Sequence, residues 1–144
     1  MNKDNERLKT EYPFLIRRDW QGKIIKDDDW TYLDEMPEGW RKAFGEKMCQ
    51  ELKDILVKAN YLSKYKVLQV KEKFGQLRWY GGIIPESISE EYTEWIEKYE
   101  DLSEKTCIEC GKPATKISLG WISPYCDECA SKIKNEEFKE IKDE

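Results

Sequence analysis

A chain of 144 residues is about one ordinary domain. At 39% hydrophobic, with six Trp, eight Tyr and four Phe, it is too rich in large aromatics for wholesale disorder. A net charge of −5 speaks against a nucleic-acid coat over the whole surface. The lack of histidine removes Ser-His-Asp triads, Cys-His proteases, HExxH metalloproteases and His-ligated zinc deaminases.

In chain order, residues 1–10 read as a charged, frayed start. Tyr12-Pro13-Phe14-Leu15-Ile16 is an apolar anchor, and Pro13 opposes a regular helix there. Residues 17–36 are turn-rich, with breaks at Gln21-Gly22 and Asp27-Asp28-Asp29; Trp20, Ile24, Ile25, Trp30, Tyr32 and Leu33 are expected to pin them to a core. The aspartate run lacks calcium-loop spacing and reads as a loop. From Pro37 the period changes. Trp40, Phe44, Met48, Leu52, Ile55, Leu56 and Ala59 recur at threes and fours and predict a helix ending near Asn60. Cys49 on that helix reads as a small buried hydrophobe, since no histidine is present to activate it.

Residues 66–81 switch to period two and predict a β-hairpin turning at Phe74-Gly75. The register pairs Lys73 with Gln76, Glu72 with Leu77, Lys71 with Arg78, Val70 with Trp79 and Gln69 with Tyr80. Leu68, Val70, Leu77 and Trp79 then share the face expected to bury on the long helix. Gly81-Gly82 and Pro85 break the strand, and a second helix is predicted over 87–105 with Ile88, Tyr92, Trp95, Ile96, Tyr99 and Leu102 as its apolar stripe. Ser87 and Glu90 fit a capping box. Its other face sets seven carboxylates against Lys98 and Lys105.

Cys107 and Cys110 form one CxxC, Cys126 and Cys129 a second, with fifteen residues between. This is the spacing of a four-thiolate zinc site. Two disulfides or a rubredoxin-like iron site are the alternatives. Four protein ligands leave no open position, so the zinc is expected to be structural, folding a segment too small to bury its own core. Thr115 to Leu119 predicts a short strand, and the second knuckle a short helix running through Ile133 and Phe138.

The hairpin's polar face is basic in an acidic chain. Lys64, Lys66, Lys71, Lys73 and Arg78 stand against Glu72 alone over residues 64–80. Lys71 opposite Arg78 is a destabilising like-charge pair that an anion would relieve. Gln69 and Tyr80 sit beside it to hydrogen-bond or stack, and Gly81-Gly82 offer backbone N–H groups to a phosphate. Gln69, Lys71, Lys73, Arg78 and Tyr80 are therefore the candidate ligand-binding residues. The competing reading is that the acidic helix folds back and neutralises the patch. That helix has two readings of its own, a solvent face or a mimic of nucleic acid.

Three segments together, MPEGWRKAFGEKMCQELK at 36–53, LQVKEKFGQLRWY at 68–80 and the cysteine-bearing 107–129, resemble uncharacterised small proteins of bacteriophages and prophages, mostly of Firmicutes. The resemblance spans Tyr12 to Lys134. It brings no catalytic residue, and it implies an accessory protein acting on host machinery, such as a counter-defence protein.

The sequence therefore predicts an α+β fold. Two amphipathic helices pack on a small antiparallel hairpin sheet over 1–105, followed by a zinc-ribbon-like four-cysteine module at 106–135 and a charged tail at 136–144. No nucleophile with a base and no phosphate-binding glycine loop is present, so a non-enzymatic binding protein is expected. Its partner is a nucleotide-like anion or a host macromolecule. Nucleic-acid binding, and inhibition of a host protein through the acidic helix and exposed aromatics, stand as alternatives. The start lacks a signal-peptide pattern and no apolar stretch spans a membrane, which points to the host cytoplasm. The surplus of aromatics leaves room for a homo-oligomer.

Overall fold

The structure is a computed structural model that describes residues 4–26 and 29–141. Of the aspartate run, Asp27 and Asp28 lie outside the described residues, as do the first and last three residues of the chain. Helix α1 spans Asp4–Glu11. Helix α2 follows as three continuous stretches, Glu38–Trp40, a π-helical turn Arg41–Gly45, and Glu46–Lys58. Strands β1 (Val67–Lys73) and β2 (Gln76–Gly81) form the hairpin. Helix α3 is Ser89–Glu104. The C-terminal region holds β3 (Lys116–Ser118), β4 (Pro124–Tyr125), α4 (Asp127–Ser131) and β5 (Phe138–Glu140), with β3 central in an antiparallel sheet. The fold is α+β with small antiparallel sheets, as expected. Among the described residues no helix is long and apolar enough to cross a membrane.

The expected frayed start is instead helical from Asp4. Leu8 and Asn5, three apart, are both buried. The Asn5 amide donates to the Asp29 carbonyl at 2.6 Å and to Asp34 Oδ2 at 2.8 Å, and Arg41 Nη2 donates back to Asn5 Oδ1. Arg7 Nη2 bridges to Glu46 Oε1 on α2 at 2.8 Å. Tertiary bonds thus hold a segment whose composition argues for fraying. The turn-rich region departs the other way. Leu33 is buried, but Trp20 is 91% exposed and Ile24, Ile25 and Trp30 are also exposed.

Helix α2 carries its apolar face as expected, with Trp40, Met48, Leu52 and Leu56 sealed from solvent. These residues and Phe44 step by four, and each such step overshoots a full helical turn by about 40°. The π-turn at Arg41–Gly45 inserts one residue without advancing the face, so it takes up about 100° of that drift. The core is largely aromatic. Trp79 of β2 meets Trp95 of α3 edge-on at 5.4 Å, and Phe14, Tyr65, Tyr92 and Tyr99 extend the cluster. Each buried indole N–H is satisfied: Trp95 donates to the Met48 carbonyl, Trp79 to Tyr65 Oη, and Trp40 to the Thr106 carbonyl.

The hairpin register matches the prediction from Lys73↔Gln76 to Gln69↔Tyr80. A bulge between Val67 and Gln69 then shifts the alternation. Val67 takes the buried place, and Leu68, expected inside, is 62% exposed. The turn uses the left-handed region at both positions, Phe74 (φ 54°) and Gly75 (φ 80°). The predicted Ser87–Glu90 capping box does not form. Pro85 is extended, Glu86–Ile88 make a 3₁₀ turn, and the N-cap is Ile88, whose side chain has nothing to accept with. The second knuckle's helix stops at Ser131. Asn135 (φ 62°) reverses the chain, and Phe138 begins β5 instead of ending a helix.

The C-terminal region is seated on α2 through backbone. The Gly39 amide donates to the Ile108 carbonyl at 2.9 Å. A Cβ at Gly39 would collide with the carbonyl groups of Cys107 and Ile108. Gly39→Ala is expected to cost about 1–3 kcal/mol through this overlap, outweighing the better helix propensity of alanine. Thermal denaturation of the metal-loaded protein checks this; a midpoint at or above wild type would mean that the seat has room.

Candidate metal centre

The first knuckle starts where α3 stops. Thr106 Oγ1 bonds back to the Leu102 carbonyl, and Trp40 anchors the Thr106 carbonyl at 2.9 Å, which fixes the backbone one residue before Cys107. The loop closes on itself through Cys107 N to Lys112 O at 2.7 Å and Gly111 N to Cys107 O at 3.0 Å. Gly111 (φ 85°) supplies the left-handed turn. The Ile108 amide reaches the Pro124 carbonyl at 3.0 Å and ties the first knuckle to the strand feeding the second. There Cys126 is the N-cap of α4, its Sγ accepting from the Cys129 amide at 3.4 Å.

All four sulfurs, of Cys107, Cys110, Cys126 and Cys129, lie within 4.8 Å of one another, and the Cys110–Cys126 pair is 3.6 Å apart. Four thiolates at about 2.3 Å from one ion stand about 3.8 Å apart in a tetrahedron, so the cluster fits a metal ion. Cys107 and Cys126 are buried and the other two half-buried. Burial raises the Cys107 thiol, but hydrogen bonds from the backbone at Cys126, Cys110 and Glu109 outweigh it and bring it down to about 7. Cys129 is pushed up by burial and by the three neighbouring sulfurs. The first thiolate thus forms readily and the last resists, and a divalent cation removes that resistance. Cys49 is sealed in the core, where burial drives its thiol far up, consistent with a hydrophobe and not a nucleophile.

On the hairpin's polar face Lys71 stands opposite Arg78 as expected. The acidic helix does reach the patch: Arg78 Nη1 pairs with Glu100 at 3.3 Å, and Gln76 donates to Glu104. Lys71 Nζ lies 6.0 Å from the Tyr80 ring centroid and Lys73 Nζ 5.9 Å from that of Phe74. Among the described residues neither lysine has a carboxylate partner. Gln69 and Tyr80 are exposed. The glycines do not serve as expected. The Gly82 amide is used by the Lys66 carbonyl at 2.8 Å, and Gly81 is packed against the Tyr65 and Tyr92 hydroxyls. Sequence reasoning passed over Gly39 and Trp40 as supports of the first knuckle; a glycine in the first turn of an otherwise regular helix was the available signal.

Comparison with protein-family models, with curated proteins and with solved structures finds no match. Cys126→Ser removes both a ligand and the cap of α4. It is expected to abolish stoichiometric metal uptake and to unfold or insolubilise the C-terminal third, while helices α1 to α3 persist on their own core. Metal content by mass spectrometry and amide exchange along the chain read the two effects separately.

Proposed function

We propose that the four cysteines hold a structural zinc ion and that the protein is a non-enzymatic binding module. Its anionic partner is held by Lys71, Lys73 and Arg78, with Gln69 and Tyr80 beside them. A closed all-cysteine donor set supports the structural role, because a catalytic zinc keeps one position open. The absence of histidine and the burial of Cys49 leave no activated nucleophile, which supports binding over catalysis.

The observation that carries the anion reading is the imbalance on one hairpin face. Arg78 has Glu100, but among the described residues Lys71, directly across from it, and Lys73 have no carboxylate partner and lie near the Tyr80 and Phe74 rings. Two lysines on one strand face, one of them opposite an arginine and neither matched by a carboxylate among the described residues, favour an anion at that place. If the chain is a phage accessory protein of the kind it resembles, that anion is a nucleotide-like signal or the acidic surface of a host macromolecule.

Replacing Lys71 and Lys73 together by Glu is expected to weaken binding of inorganic pyrophosphate at least about tenfold, on the scale of two charge-assisted contacts. Added salt is expected to weaken binding by the wild type. Isothermal titration measures both, and unchanged affinity in the double variant removes the reading.

A further inference from the structure

The hairpin turn does not end in solvent. Gly75 abuts Ile122 and Ser123, with a Cβ position 3.2 Å from the Ile122 carbonyl. Two cavities open along this contact, and they share Lys73, Phe74 and Ile122. One is apolar, about 360 Å³, walled by Phe74, Trp121 and Ile122. The other, about 260 Å³, is mixed, with Lys73, Gln76, Arg78 and Glu104 set among Ile117, Ile122 and Pro124. Together they make one groove with a flat apolar end and a cationic end.

Four features of this groove point to a ligand. Phe74 and Trp121 are 71% and 75% exposed and line the same cavity, so two large rings from distant parts of the chain meet at the surface. Phe74 holds a left-handed backbone conformation that is costly for a bulky residue. Lys73 lacks a carboxylate partner among the described residues, whereas the nearby carboxylates are engaged: Glu72 by the Gly75 amide, Glu104 by Gln76, and Glu136 by the Gly120 amide. Finally, Arg78, which lines the cationic end, has a buried Nε with no hydrogen-bond partner among the described residues.

An aromatic plane beside an unmatched lysine and a guanidinium whose Nε is left without an acceptor while Nη1 pairs with Glu100 is the chemistry of a nucleotide. We propose that this groove takes a free mononucleotide, its base against Phe74, Trp121 and Ile122 and its phosphate at Lys73 and Arg78. The assignment rests on the anion-binding reading of the hairpin face and adds the ligand class and the base-binding residues. A long polyanion is disfavoured, because the net charge is −5 and the carboxylates of α3 flank the groove at Glu100 and Glu104.

Isothermal titration of the zinc-loaded full chain compares adenosine and guanosine diphosphate with inorganic pyrophosphate at one ionic strength. At least one nucleotide is expected to bind about tenfold tighter than pyrophosphate, the scale of one stacked base. Trp121→Ala is expected to erase that gain and leave pyrophosphate affinity unchanged; its exposure makes misfolding a poor explanation. Phe74→Asn suits the left-handed turn, so it is expected to raise the melting point and yet lose the gain. Pyrophosphate binding with no nucleotide gain, or a gain that survives in Trp121→Ala, overturns this inference alone. Binding of neither compound overturns the anion reading and this inference with it. Tighter binding of a single-stranded oligonucleotide, falling log-linearly with salt, overturns the mononucleotide assignment.

Discussion

Everything beyond Lys105 depends on two backbones meeting without a side chain between them. At Gly39 the first turn of α2 comes against the carbonyls of Cys107 and Ile108, and its amide bonds one of them. Trp40, the next residue, fills the core and donates its indole N–H to Thr106. One dipeptide therefore closes the core of the helical region and sets the position of the first cysteine knuckle. A segment of short strands and a five-residue helix has little apolar area of its own. Its order comes from this seat and from the four convergent thiols.

The helical region solves a different problem, how to bury many large rings without stranding their polar atoms. Edge-on packing of Trp79 on Trp95 places ring edges against faces, and the indole and phenol groups find acceptors among backbone carbonyls and each other. The π-turn belongs to the same solution. It lets residues four apart stay on one face for longer than a regular helix permits.

Features set by local chemistry could be read from the sequence: the helix period, the two-residue turn, the cross-strand register and the CxxC spacing. Those that failed hang on a partner distant in the chain or on a local irregularity of the backbone. Asn5 orders α1 only because Asp34 and Arg41 arrive beside it. Leu68 lies outside because a bulge, and not the alternation, decides its side. The helix at 87–105 begins one residue later than its capping box implies, since Pro85 commits the chain to a 3₁₀ turn first. At the site, the four ligands were legible because their spacing carries the geometry. The neutralisation of Arg78 was legible only as one of two outcomes, because no local pattern says which way a helix folds back. The groove was not legible at all. Its two walls, Phe74 and Trp121, are 47 residues apart and meet only through the contact of Gly75 with Ile122.

That contact has a thermodynamic consequence. Ser118 holds the loop carrying Trp121 and Ile122, accepting from the Ser123 amide and donating to the Trp121 carbonyl, and the same loop runs through Pro124 and Tyr125 into Cys126. The wall of the groove at Trp121 and Ile122 and the thiol of Cys126 thus lie on one continuous stretch of chain, at either side of β4. Linkage is reciprocal: whatever an ion at the four thiols would contribute to the order of that wall, an occupant of the groove would return as tighter equilibrium binding of the ion. An ion at the thiols and an occupant at the hairpin tip would therefore draw on a single folding equilibrium.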